Sequence, residues 1–344
     1  MTMDAIGQMQ RTIERLTSPG RGILAADESY PTITRRLSDH GIESSEENRR
    51  FYRSLLASTP GIGEYVSGII FFEETLGQRN DDGVMIPQAC EAQDIVPGIK
   101  VDKGLVELAG SGGEKVTQGL DNLGDRLDGY REQGALFTKW RNVYSISPTT
   151  PGRQALEANA EVLARYAAIA QSRGMVPIVE PEVLMDGDHD MARCAEVTEA
   201  AQSAVFAALR RHNVALECMI LKPNMVLPGK GHSPRPSAQA CAEATLRVLR
   251  RTVPAAVPSI NFLSGGQSCE EATAHLNAMN RADGPKPWVL SFSYSRALQN
   301  PVQAAWKGDP ANKGAAQQAF LHRARLNSLA RKGEYAPSME SASA

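Results

Sequence analysis

The chain has 344 residues, 42% of them hydrophobic and 22% charged, with 37 lysines and arginines against 39 aspartates and glutamates. That is a globular composition with ample length for a large core, and a formal net charge of −2 argues against nucleic acid or an anionic membrane as the main partner. Five cysteines with no C-x-x-C spacing suggest neither a disulfide framework nor a zinc site, so a reducing cytoplasm is the expected compartment.

From the N-terminus, Ile6, Met9, Ile13 and Leu16 recur at helical spacing among charges, which predicts an amphipathic surface helix rather than a targeting peptide. No apolar run has the length to cross a bilayer. Gly22–Ala26 reads as a first strand that ends in Asp27-Glu28-Ser29, with Ser29 as N-cap and Pro31 at the start of the helix that follows. Ser44-Ser45-Glu46-Glu47 offers a capping box for a helix over 48–58. Further strands are expected at 66–72, 98–103, 135–141, 175–180, 217–222, 259–263 and 288–292. Their continuous apolar character suits parallel strands covered on both faces. Helices are expected between them at about 122–133, 154–173 (capped by Thr150), 191–212 and 237–251, then after a Ser268/Glu271 capping box, with two more near 301–307 and 310–329. Strands alternating with helices, without a linker-like break, predict a single-domain α/β fold, the (β/α)8 TIM barrel, over 1–332. A doubly wound open sheet is the alternative, but neither a G-x-G-x-x-G turn nor a P-loop is present. The segment 333–344 lacks apolar periodicity and is expected to be a flexible tail.

Polar residues gather where the predicted strands end: Asp27, Lys100, Lys139, Glu180, Glu182, Lys222, Ser264 and Arg296. In a barrel those ends converge on the face that carries chemistry. Met219-Ile220-Leu221-Lys222-Pro223-Asn224 is the most pointed case: an apolar run ends in one lysine, and proline forbids continuation of the ladder. An ordinary lysine, with a pKa of about 10.4, is only ~0.04% neutral at pH 7. A nucleophilic lysine therefore needs an environment that destabilises its ammonium, through burial or a neighbouring cation. Glu180 and Glu182 lie two apart and share one side of their strand, as do Lys139 and Arg141, with Trp140 turned away. Such a set forms either a structural ion-pair network or an acid/base pair beside a lysine activated by a second one. Ser264-Gly265-Gly266, between a strand and a helix, is a candidate anion turn with Arg296 beside it. Ser29, Arg36, Lys100 and Arg141 supply groups for a second anion. The six histidines show no metal-motif spacing, so no metal and no cofactor are expected.

The ordered segments GRGILAADES, PGIKVDKG, TKWR, VPIVEPEVL, ILKPNMV, INFLSGGQS and SFSYSRALQ resemble the class I fructose-1,6-bisphosphate aldolase family. The resemblance implies a metal-free (β/α)8 enzyme of glycolysis and gluconeogenesis, commonly a cytoplasmic homotetramer, acting on small sugar phosphates through a lysine Schiff base. It implies Lys222 as the Schiff-base lysine, Glu180 as general acid/base, and Glu182 as an electrostatic support. It also implies that Lys139 assists carbinolamine formation and that Asp27 contacts substrate hydroxyls. Ser264, Gly265, Gly266 and Arg296 would bind the C1 phosphate, with Ser29, Arg36, Lys100 and Arg141 around the C6 phosphate. The chain departs from the family pattern in Tyr30-Pro31, in Ser295 where a glycine is common, and in a short tail without a terminal tyrosine.

Overall fold

The apolar runs form the staves of a closed ring in a computed structural model that describes residues 3–341. In chain order the strands are β1 (Gly22–Ala26), β2 (Val66–Phe71), β3 (Val96–Lys100), β4 (Leu105–Glu107), β5 (Lys115–Thr117), β6 (Phe137–Tyr144), β7 (Val176–Val183), β8 (Ile220–Leu221), β9 (Ser259–Phe262) and β10 (Val289–Tyr294). Eight of them close a parallel barrel in the order β1-β10-β9-β8-β7-β6-β3-β2, while β4 and β5 form a separate antiparallel hairpin. The helices are α1 (Met3–Leu16), α2 (Tyr30–Ser38), α3 (Glu46–Ala57), α4 (Glu73–Leu76), α5 (Ile86–Glu91), α6 (Leu123–Glu132), α7 (Arg153–Ser172), α8 (Met191–Arg211), α9 (Ala238–Thr252), α10 (Cys269–Arg281), α11 (Arg296–Trp306) and α12 (Lys313–Lys332). This is the single-domain (β/α)8 barrel expected from the sequence.

Strand alternation divides the core in two. Ile23, Ala25, Ile70, Val96, Phe137, Val176, Ile178 and Ile220 point inward and pack as one cluster. Their neighbours Leu24, Ala26, Ile69, Phe71, Trp140, Val179 and Leu221 point outward, into the layer beneath the helices. The inner cluster also contains Met9, Ile13 and Leu16 of α1, all buried. The first helix is thus a stopper for the barrel interior, not merely a surface helix, and its apolar face meets the inward residues nearest the strand starts.

Several boundaries differ from expectation for local reasons. The strand expected over 217–222 is reduced to Ile220–Leu221, preceded by a 3-10 turn at Leu216–Cys218. Gln171 of α7 diverts that backbone: its Nε2 donates to the carbonyls of Ala215 (2.8 Å) and Cys218 (3.2 Å), and its Oε1 accepts from Ala215 N. Helix α7 is capped at Gly152 rather than Thr150, and Gly152 N donates to the Glu114 carboxylate of the β4–β5 loop. Ser45 caps α3 by accepting from Asn48 N, but with asparagine in the third position the reciprocal half of a capping box is missing. The box at Ser268 and Glu271 forms in full. The β4–β5 hairpin is not among the strands expected from the sequence, because each of its strands is only three residues long.

The segment after α12 is also more ordered than its composition suggested. Tyr335 is buried; its backbone N–H donates to Asn277 Oδ1 (3.0 Å) and its hydroxyl to Glu340 Oε1 (2.7 Å). Glu340 in turn pairs with the buried Arg323. The expectation of a free tail from residue 333 therefore fails as far as residue 341, because Tyr335 and Glu340 anchor it; 342–344 lie outside the described residues.

One close approach inside the barrel is testable. A Cβ on Gly98 would lie 2.3 Å from the Phe137 ring, which is fully buried and belongs to its register partner on β6. Gly98→Ala is expected to cost about 1 to 3 kcal/mol through overpacking, measured by urea unfolding. A loss below ~0.5 kcal/mol would show that the ring moves freely.

Candidate active site

The inward register of the strands continues past their apolar part into charge. On β1 the inward series Ile23, Ala25 leads to Asp27; on β6, Phe137 leads to Lys139 and Arg141; on β7, Ile178 leads to Glu180 and Glu182; on β8, Ile220 leads to Lys222. All seven charged groups of this layer, Lys100 included, border one cleft of about 1010 Å³ at the strand C-termini. The strand parity read for 139/141 and 180/182 is therefore the observed one, with Trp140 outside, stacked on Tyr166.

The charges form a compact array. Lys139 Nζ lies 2.6 Å from Asp27 Oδ2 and 3.4 Å from Glu180 Oε2. Lys222 Nζ lies 3.3 Å from the other Glu180 oxygen, Oε1. Asp27, Lys139, Glu180 and Lys222 are all buried, at 7%, 4%, 3% and 3% exposure, so water does little to screen them. Burial alone would lower the Lys139 pKa, but Asp27 and Glu180 outweigh it and hold the group above its ordinary value. Burial would likewise raise the Asp27 carboxyl, yet Lys139, and then Lys222, hold it below its ordinary value. Lys139 is consequently a fixed positive charge beside Lys222. Glu180 faces both ammonium groups at longer distances than the Asp27–Lys139 contact, which leaves it the carboxylate less committed to either lysine. Glu182 is paired instead with Arg141, at 2.5 Å.

Local structure fixes Lys222. Its backbone N–H still donates to Val179 O (2.8 Å), holding the residue to β7 one step beyond the β8 ladder. Pro223 then ends regular pairing, and the Asn224 side chain takes over. Its Oδ1 accepts from Val183 N at 2.9 Å, while its Nδ2 donates to Thr198 Oγ1 and Met225 O. The K-P-N sequence thus places the lysine at the rim and ties the following turn back to β7.

The anion turn sits across the cleft. Ser264, Gly265 and Gly266 follow β9, with Gly265 at φ +56, and Arg296 Nη2 donates to the Gly265 carbonyl. Gln267 braces the turn by donating from its Nε2 to Ser264 O (2.8 Å), and its Oε1 is met by His275 Nδ1 at 2.6 Å. Burial pushes His275 down to about 4, so the imidazole is neutral at pH 7. On the other side Lys100 pairs with Asp102 at 2.7 Å, and Ser29 Oγ lies 3.3 Å from Thr32 Oγ1. Arg36 was grouped with these by sequence; its contacts are with Glu28 and with Ser295, one residue before Arg296.

Sequence reasoning missed the support behind Arg36. Glu28 is buried, its Oε2 lies 2.6 Å from Arg53 Nη2, and Arg53 itself is buried on α3. Burial would raise the Glu28 carboxyl, but Arg53 and Arg36 outweigh it and lower its pKa. The available signal was an arginine within the apolar face of a helix, between Tyr52 and Leu55-Leu56.

With the site in view, the comparisons are decisive. A sequence model described as fructose-bisphosphate aldolase class-I matches residues 8–344. The chain belongs to the class-I fructose-bisphosphate aldolase family. It is 52% identical over 322 residues to fructose-bisphosphate aldolase C of Rattus norvegicus, covering 93% of this chain and 89% of the relative. It is 50% identical over 345 residues to the muscle-type fructose-bisphosphate aldolase of Lethenteron camtschaticum, covering 100% of this chain and 95% of that one. Among solved structures it resembles the fructose-bisphosphate aldolase of Plasmodium falciparum, co-crystallised with TRAP and a small-molecule inhibitor. There the TM-score is 0.96 at 46% identity, over 98% of this chain and 97% of that chain. The class-I aldolase family comprises metal-independent aldehyde-lyases, and this chain is one of them.

The depressed carboxylates predict an acid limit to stability. Asp27 and Glu28 titrate lower when folded than when unfolded, so their contribution is complete above the unfolded carboxylate range of about 4 and is lost as pH falls toward their folded values. Glu28→Gln should therefore flatten the fall of the thermal midpoint between about pH 5 and pH 3. An unchanged slope would mean that Glu28 titrates alike in the folded and unfolded chains.

Proposed function

We propose that this chain cleaves fructose 1,6-bisphosphate reversibly to dihydroxyacetone phosphate and glyceraldehyde 3-phosphate through a Schiff base on Lys222. The observation that carries the reading is the shared carboxylate: Glu180 presents one oxygen to Lys222 and the other to Lys139. The Lys222 ammonium gives a proton to Glu180, the neutral amine attacks the C2 ketone, and a second proton passes from the attacking nitrogen to the developing alkoxide to give a carbinolamine. The fixed charge of Lys139 stabilises the developing oxyanion. Glu180 then passes the proton it took from the ammonium to the departing hydroxyl, leaving an iminium with loss of water.

The iminium is the electron sink for the next step. A base removes the C4 hydroxyl proton, the C3–C4 bond breaks, and its electron pair moves into the iminium to form an enamine as glyceraldehyde 3-phosphate leaves. Glu180, the carboxylate paired with Lys222, is assigned that proton as well. Protonation of the enamine at C3, followed by attack of water on the renewed iminium, releases dihydroxyacetone phosphate and neutral Lys222. Asp27 orients substrate hydroxyls from its ion pair with Lys139, and Glu182 supports the lysines electrostatically while holding Arg141.

The C1 phosphate is assigned to Ser264, Gly265, Gly266 and Arg296, where a glycine turn opens onto a cation. The distal phosphate is assigned to Ser29, Lys100 and Arg141, with Arg36 adding positive charge between the two groups. The family resemblance also supports a cytoplasmic homotetramer working in glycolysis and gluconeogenesis.

Borohydride with dihydroxyacetone phosphate should tag Lys222 and abolish cleavage, while EDTA leaves the rate unchanged. Lys222→Met should retain the folded barrel and lose cleavage. A tag confined to Lys139 or Lys100, or a rate restored by added divalent metal, would overturn the assignment. The phosphate ends separate by substrate. Arg296→Ala should weaken both fructose bisphosphate and fructose 1-phosphate by ~10- to 150-fold, the scale of a charge-assisted contact. Lys100→Ala should penalise chiefly the bisphosphate, and equal losses for both substrates in both variants would reverse the two ends.

A further inference from the structure

Beneath the rim, the residues that follow β1 and those that follow β10 meet around one carboxylate. Glu28 Oε1 accepts from Ser295 Oγ (2.7 Å) and from Gln299 Nε2 (2.7 Å), and it also receives Arg36 Nη1. Its Oε2 pairs with the buried Arg53. One carboxylate thus faces two guanidinium groups. Arg53 is 3% exposed and shut away from the cleft, so it is the standing counter-ion of Glu28. The surplus positive charge belongs to Arg36, which borders the cleft.

Charge alone does not aim a long, many-rotamer side chain. The second contact on Arg36 does: its Nη1 donates to Ser295 Oγ at 2.8 Å while that hydroxyl donates its own proton to Glu28. The hydroxyl is itself held in place. Gln299 reaches Ser295 Oγ at 3.1 Å and is fixed at both ends of its amide, donating to Ala25 O (2.7 Å) and accepting from Tyr52 Oη (2.9 Å). Glu28 and Gln299, which hold the Ser295 hydroxyl, are each backed by a buried partner that does not line the cleft, Arg53 and Tyr52 respectively.

We propose that Ser295 is a positioning residue for substrate binding, whose hydroxyl fixes the Arg36 guanidinium at the cleft edge in the orientation that receives a phosphate. The inference rests on the aldolase reading for the identity of its substrate. A side chain without the hydroxyl leaves Arg36 its ion pair with Glu28 but removes the second point that sets its direction. The same change brings no new charge and fills no cavity, so the barrel and the Lys222 array are left as they are.

Because Ser295 also precedes Arg296, a loss of binding could arise from either arginine, and a double-mutant cycle separates them. KM and kcat for fructose bisphosphate would be measured for Ser295→Ala and Ser295→Thr, each in the native and the Arg36→Ala backgrounds. In the native background Ser295→Ala should raise KM about 3- to 10-fold, the scale of one hydrogen bond, with kcat within about twofold. Ser295→Thr, which keeps a hydroxyl, should stay within about twofold of native KM. With Arg36 already removed, Ser295→Ala should change KM by less than about 1.5-fold. An equal rise in both backgrounds, or a fall in kcat at constant KM, would overturn the proposal. A second arm does not depend on catalysis: the inorganic phosphate concentration giving half of the maximal rise in thermal midpoint should increase by the same factor in Ser295→Ala. An unaltered phosphate midpoint would overturn the proposal whatever the fate of the aldolase reading, which borohydride trapping of the native enzyme tests separately.

Discussion

Two ammonium groups and two carboxylates share a space that water barely enters. Asp27, Lys139, Glu180 and Lys222 come from β6, from β7 and from the ends of β1 and β8, and their formal charges cancel. Any one of them alone would be expensive to bury; together they are tolerable because each ion has a partner of opposite sign within a few ångströms. Cancellation is uneven, however. The Asp27–Lys139 contact is short and Glu180 is shared, so a proton leaving Lys222 has a nearby carboxylate to enter without dismantling the tighter pair. For the amine chemistry proposed at Lys222, the array has to be dry enough to favour it and paired enough for the fold to survive it.

The layer below the array solves a related problem for the phosphate groups. A cleft that takes two phosphates needs cations along its wall, and bare cations repel one another: Arg296 is held below its ordinary pKa by burial first and by Arg36 next. Glu28, backed by Arg53, allows Arg36 to be placed at that wall without its charge being cancelled. The helices α2, α3 and α11 all contribute to this layer, so part of the active site is built from the outer shell of the barrel and not only from its strands.

How much of this was legible depended on which physical rule governed each residue. The inward set on β6 and β7 could be read directly, since strand alternation fixes sides without knowledge of partners. Lys222 was legible because apolar sequence, lysine and proline occur in immediate succession. The plug formed by α1 was not, because an amphipathic face states that something is covered without stating what. The short β8 depended on Gln171, far away in sequence, and Arg53 depended on a carboxylate that the chain places before it and the fold places beneath the rim. The docking of Tyr335 rested on two polar contacts that leave no periodic trace. Local rules carried the elements; long-range pairings of polar groups were the part that required coordinates.

The ring closes only when β1 meets β10, and those strands lie near opposite ends of the chain. During synthesis Asp27, Lys139 and Glu180 all emerge before Lys222, and the strand that completes the ring emerges later still. Parallel pairings between sequence-distant strands form late and slowly. Until then the growing chain holds its inward carboxylates and lysine in water, fully hydrated and separately charged. The charged array around Lys222 is thus a property of the finished ring: a chain that lacks the last strand carries the same residues without the closed barrel that buries them together. On the reading proposed above, the order in which the staves are delivered withholds carbonyl chemistry from the chain until its last strand is in place.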